Sequence, residues 1–184
     1  MGGYSVPAPP PGYRPLPMGP GGAPLADFGQ RFLAYLLDGL VIAAVALVPV
    51  LIGFALLIPV FLDTVRSTPA GSAPDLGKFF LLYFLFFAIM IPLQLGLQYL
   101  YQVVYQVRKG QTVGKRVMKI KVVSLADGSP MDTRMAQKRF LVTVGCAFAG
   151  PLAYLDGLWQ LWDQPYRQCL HDKWPKTVVV RVPA

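Results

Sequence analysis

Asp38 is the only charged side chain between Phe32 and Leu62, in an otherwise apolar stretch. A carboxylate facing lipid there costs about 2.5–3.5 kcal/mol to insert, so it must face protein or water. Two roles fit it: an anchor docking its helix onto neighbours, protonated or hydrogen-bonded, or an ion- or proton-binding group. Arg31 lies seven residues earlier, roughly 700° of helical rotation, so the two project from nearly one face about 10 Å apart along the axis. Arg31 can also snorkel toward the interface, so a direct pair is not required. Gln94, Gln98, Gln102 and Gln106 recur every four residues with Tyr101 and Tyr105 beside them. Such a polar stripe serves interhelical hydrogen bonding or lines a polar conduit. Asp156, in a third apolar run, invites the same two readings. "RQCLHDKW" at 167–174 holds the single histidine, His171, beside Asp172. That pair suggests acid–base chemistry or, with Cys169, a metal. No nucleophile or fourth ligand stands at recognisable spacing, so structural hydrogen bonding is expected, with no metal, no cofactor and no catalytic residue.

"GQTVGKRVMKIKVV" at 110–123 raises a different chemistry, that of a phosphate loop. A Walker A loop needs four residues between its glycines and a Ser or Thr after the lysine. Here three residues separate Gly110 from Gly114, and Arg116 follows Lys115. Met118, Ile120 and Val122 then alternate with Lys119 and Lys121, which is the period of a half-wet strand rather than a core helix. The nucleotide reading is rejected. Lys115, Arg116, Lys119 and Lys121 fit anionic lipid headgroups instead, each contributing on the order of 1 kcal/mol near the surface.

The elements that must hold these residues follow from composition. The 184 residues allow one domain and are 54% hydrophobic but only 14% charged, too apolar for an ordinary soluble domain. The net charge of +8 gathers between the apolar runs, which points to a membrane surface and not to nucleic acid. Two transmembrane helices are expected over about 30–52 and 79–107, with Pro49 and Pro59 kinking or ending the first. The third run, about 140–162, is divided by "GP" at 150–151; it is either a single span or a re-entrant helical hairpin. Asp132 or Thr133 should cap the helix that leads into it. "KTVVVRV" at 176–182 should pair with "KIKVV" as a small β-hairpin-like element, which requires both on one side of the membrane and favours the re-entrant form. Residues 1–26, rich in Pro and Gly, read as a disordered tail without signal-peptide features. The basic residues of the 108–139 loop place that loop and the N-terminus in the cytoplasm of a multi-pass plasma-membrane protein.

Taken in order, "FGQRFLAYLLDGL", "GQTVGKRVMKIKVV" and "RQCLHDKWPKTVVV" resemble the RDD family of small integral membrane proteins, over about residues 28 to 182. The resemblance makes Arg31, Asp38 and Asp172 the arginine and two aspartates for which the family is named. Where relatives commonly carry Ala-Gly before the final Thr-Val, this chain has Pro175-Lys176, at the expected turn into the last strand. The resemblance implies a candidate transporter, with cation/proton exchange proposed for some members, or a scaffold in a membrane complex. The lead expectation is transport in a homo-oligomer, with Asp38 carrying the proton or cation, Arg31 and Asp172 orienting it, and the Gln stripe lining the route. The rival is a non-enzymatic scaffold or accessory subunit.

Overall fold

A computed structural model describes residues 17–182. Helix α1, Phe28–Arg66, opens with a capping box: Asp27 accepts from the Gln30 backbone N–H, and the Gln30 side chain accepts from the Asp27 N–H. It runs unbroken for 39 residues, about 58 Å, so the helix continues past the span end expected near 52. Pro49 and Pro59 both lie inside it. Proline is tolerated in helices of this apolar kind because neighbouring groups and local adjustment compensate for the lost bond.

Helix α2, Gly77–Tyr99, continues through a π-helical stretch, Leu100–Tyr105, into α3, Gln106–Lys109. Gly110 ends it with φ of 75°, the left-handed conformation that glycine adopts at little cost. Helix α1 and the continuous helix Gly77–Lys109 are the two among the described residues long and apolar enough to cross a membrane. Their large apolar side chains point outward, as at Leu56 (66% exposed) and Leu81 (68%), the reverse of a soluble fold. The two helices touch where Gly53 lies against the ring of Phe86.

Beyond Gly110 come α4 (Val113–Val117), β1 (Ile120–Ser124), α5 (Thr133–Phe148), α6 (Leu152–Leu158), a 3-10 turn (Trp159–Leu161), α7 (Leu170–Lys173) and β2 (Thr177–Arg181). Asp132 caps α5, accepting from the Met135 N–H at 2.6 Å. Strands β1 and β2 pair antiparallel, from Ile120 opposite Arg181 to Ser124 opposite Thr177. They form a two-stranded sheet, but not a local hairpin, since α5 to α7 intervene. Val123 bridges to Pro130 on one edge and Val180 to Leu25 on the other. Residues 17–26 therefore do not belong to a disordered tail. Leu25 and Ala26 are buried, Ala26 N–H donates to Val179 and Arg181 N–H to Pro24, so this segment covers an edge whose backbone groups need partners. Residues 1–16 of that expected tail lie outside the described residues.

The core sits where the sheet meets the bases of the helices: Ala34, Val103, Ile120, Val122, Ala136 and Val179 pack together. The third apolar run is two helices, α5 and α6, joined at a turn in which Gly150 has φ of 62°. Because β2 pairs with β1, the two ends of the run lie close together. Lys176 takes the left-handed conformation (φ 55°) at the turn into β2.

Candidate functional site

Asp38 is half-buried on α1, and three donors close on its carboxylate. Tyr101 O–H donates to Oδ1 at 2.7 Å, the Gly114 N–H to Oδ1 at 2.8 Å, and Thr112 Oγ1 to Oδ2 at 2.6 Å. The donors are themselves engaged: the Tyr101 oxygen accepts from the Val113 N–H at 3.0 Å, and Thr112 Oγ1 accepts from the Lys115 N–H at 3.4 Å. Sequence produces this cluster in identifiable ways. Thr112 is the N-cap of α4, so its side chain sits at the helix mouth. Gly114 allows α4 to lie directly on α1: a Cβ there would meet the Ala34 carbonyl oxygen at 2.2 Å and Asp38 Oδ1 at 2.9 Å. The π-helical stretch carries Tyr101, stacked on Tyr105 with centroids 5.6 Å apart. Stretches of this type recur at functional sites. The second glycine of "GQTVG" therefore serves close helix contact and not phosphate.

Asp172 is fully buried on α7. Its Oδ1 is ion-paired with Arg139 of α5 and accepts from Thr177 Oγ1 at 2.8 Å, while Oδ2 accepts from the Cys169 N–H at 3.3 Å. Arg139 Nη1 also donates to Thr177 Oγ1 at 2.7 Å. One pair thus ties α5, α7 and β2 together. Next to it, Asp156 of α6 binds His171 twice: Oδ1 accepts from the backbone N–H at 2.8 Å and Oδ2 lies 2.7 Å from Nδ1. Burial, reinforced by the positive charge of Arg139, drives the His171 pKa down to about 4, so the imidazole is neutral at pH 7. Cys169, His171 and Asp172 hold three metal-ligating atoms within 4.8 Å of one another. Arg139 already neutralises the carboxylate of that group.

Arg31 and Asp38 leave one helix face for different partners. Arg31 donates to the Arg167 carbonyl at 2.5 Å and the Val179 carbonyl at 3.3 Å, so it clamps the C-terminal segment to α1. The Gln stripe divides as well. Gln98 lines a shallow groove against α5 with Leu95, Thr143, Val144, Ala147 and Phe148. Gln106 is buried; its amide donates to the Gln102 carbonyl at 3.1 Å and accepts from Lys115 Nζ at 3.2 Å. Gln94 is half-buried further along α2. Of the four cations expected to face headgroups, Arg116, Lys119 and Lys121 are exposed, but Lys115 turns inward. Burial, and then Arg139, lower its pKa to about 8.

Sequence reasoning missed Arg139, Thr177, Thr112 and Gly114 as site residues. Arg139 was hidden among the basic residues of the loop; the signal was its place one residue before an apolar run, where a lone cation needs a carboxylate. The ordered chain of arginine, first aspartate and second aspartate, the first two holding segments to α1 and the third holding α7 to α5, coincides with a match to the profile described as the RDD family over residues 25–176. The chain belongs to the RDD family. No curated protein and no solved structure matches it. In this RDD protein, Arg31, Asp38 and Asp172 mark three docking points: C-terminal segment to α1, α4 to α1, and α7 to α5.

Proposed function

We propose that this RDD membrane protein is a non-enzymatic scaffold or accessory subunit, in which the polar residues lock a small sheet-containing cap onto two spans. The observation that carries this reading is the saturation of Asp38 by hydroxyl and N–H donors. A cation site presents unspent oxygen acceptors. This carboxylate is surrounded by groups that donate. Two spans also enclose no pathway alone, and their outward apolar faces suit lipid and neighbouring membrane helices. The excess of basic residues in the 108–139 loop supports a cytoplasmic cap and N-terminus.

One feature favours transport in a homo-oligomer as the second reading. An apolar groove between α1 and α2, lined by Val41, Ile42, Val45, Leu97, Leu100, Tyr101 and Tyr105, ends on the tyrosine that reaches Asp38. Proteoliposomes separate the two. Under an imposed pH gradient with Na⁺ or K⁺, the scaffold reading predicts proton flux equal to that of protein-free vesicles. Flux above that control, abolished by Asp38→Asn in a protein that still assembles, establishes transport.

A further inference from the structure

The geometry points to the α5–α6 hairpin as a half-membrane insertion, dipping to mid-bilayer among the acyl chains of one leaflet and returning to the side it left. This rests on the membrane location of the spans and is independent of the scaffold and transport readings. Helix α2 supplies a depth scale. At the hairpin's base, Gln137 Nε2 donates to the Tyr99 hydroxyl at 2.9 Å, and Phe140 meets the Tyr99 ring edge-on with centroids 5.5 Å apart. Farther along α5, Ala147 and Phe148 share a groove with Leu95. Helix α5 thus climbs along α2 toward the middle of the 33-residue helix Gly77–Lys109. Leu95 lies about 20 Å from the basic residues Arg108 and Lys109, by the helical rise. Half of a ~30 Å hydrocarbon core plus one interfacial layer is also about 20 Å. The turn around Gly150 therefore sits near the midplane.

The return is as well defined as the descent. Asp156 on α6 bonds to His171 on α7, and α7 precedes the strand that pairs with β1. A single crossing would separate β1 from β2 by a bilayer. The surface chemistry matches acyl chains and not water: Phe148 is 73% and Tyr154 76% exposed, beside exposed Leu141, Leu152 and Leu161. The polar groups of the hairpin turn inward, with Asp156 and Gln160 buried. At the base, exposed Trp174 carries Lys138 Nζ 5.5 Å above its ring, and Trp162 is exposed nearby in sequence to the end of the 3-10 turn. Indole and ammonium groups at one level are the pairing found at headgroups, and the cations complement an anionic lipid surface.

The test uses the full chain with Cys146→Ser and Cys169→Ser, in nanodiscs of phosphatidylcholine and phosphatidylglycerol. Single cysteines are placed by Phe148→Cys at the tip and by Arg134→Cys and Gln164→Cys at the two ends of the hairpin. The proposal predicts loss of labelling by membrane-impermeant maleimide at 148, and labelling of 134 and 164 from the same face in vesicles. A fluorophore at 148 should be quenched more by lipids spin-labelled deep in the chain than by those labelled near the headgroup. Tyr154→Cys repeats the measurement if the first variant does not fold. Labelling of 134 and 164 from opposite faces overturns the proposal in favour of a full span. A tip labelled by maleimide, or a tip protected but not quenched by lipid, overturns it in favour of an aqueous or protein-covered hairpin.

Discussion

Gly114→Ala adds one methyl group, and the structure states what it meets. The new Cβ would lie 2.2 Å from the Ala34 carbonyl oxygen, against an ordinary contact of at least 3.4 Å. Helix α4 must therefore retreat from α1 by roughly 1 Å, because a backbone carbonyl in a helix cannot rotate away. A shift of that size stretches the 2.8 Å bond from the Gly114 N–H and the 2.6 Å bond from Thr112 to Asp38. Hydrogen bonds to a charged group contribute about 1.5–3 kcal/mol each. Because Asp38 is half-buried and water can replace part of each bond, the expected cost is about 2–4 kcal/mol. For a chain of this size that lowers the melting temperature by roughly 5–15 °C. The assay is thermal unfolding of the purified protein in detergent, with Gly39→Ala and Gly96→Ala as controls. Nothing lies within 4 Å of a Cβ at either control site, and both lie inside helices. There alanine should gain up to about 1 kcal/mol in helix propensity. If Gly114→Ala melts with the wild type or above it, close approach of α4 to α1 is not what this glycine provides.

Three further outcomes follow from the second cluster and the turn beside it. Asp172→Asn leaves the Arg139 charge buried and unpaired and should cost about 3–5 kcal/mol, whereas the paired change Arg139→Met with Asp172→Leu should recover most of it in the same melting assay. His171, with a usual pKa of 6.5 lowered to about 4, takes up its proton more readily in the unfolded chain; stability from this group is complete above pH 6.5 and is lost as pH falls through 6.5 toward 4. Urea or thermal melts across pH 4–8 should show that slope, and His171→Asn should flatten it. Lys176→Gly should raise the melting temperature by a few degrees, since it relieves about 1 kcal/mol of left-handed backbone strain at φ 55°.

Much of the fold was legible because hydropathy and periodicity act locally. Two long apolar runs, the Asp132 cap, and alternation in "KIKVV" each predicted an element that the structure contains. Of the two outcomes expected at Pro49 and Pro59, kinking or ending the helix, the structure excludes the ending, since backbone groups freed by proline are met by local adjustment in apolar helices. The edge role of 17–26 was illegible because its burial depends on Val179 and Arg181, far along the chain. The candidate site was half legible. Arg31 and Asp38 stood out as charges in or beside apolar sequence, and Asp172 through its neighbour His171 and the family resemblance, but their partners are uncharged or lie in a basic loop. Thr112 and Gly114 carry meaning only once α4 rests on α1, and Lys115 turns inward to Gln106 while its neighbours Arg116 and Lys119 stay exposed.

The central claim is that the Asp38 carboxylate is spent on holding α4 to α1. A double-mutant cycle reads it most directly: Asp38→Asn, Thr112→Val and the double variant, each melted as purified protein. Coupling of about 1–3 kcal/mol between the two positions is the result expected of a shared bond. Strictly additive effects, with Asp38→Asn as stable as wild type, would contradict it and leave the carboxylate free for other chemistry.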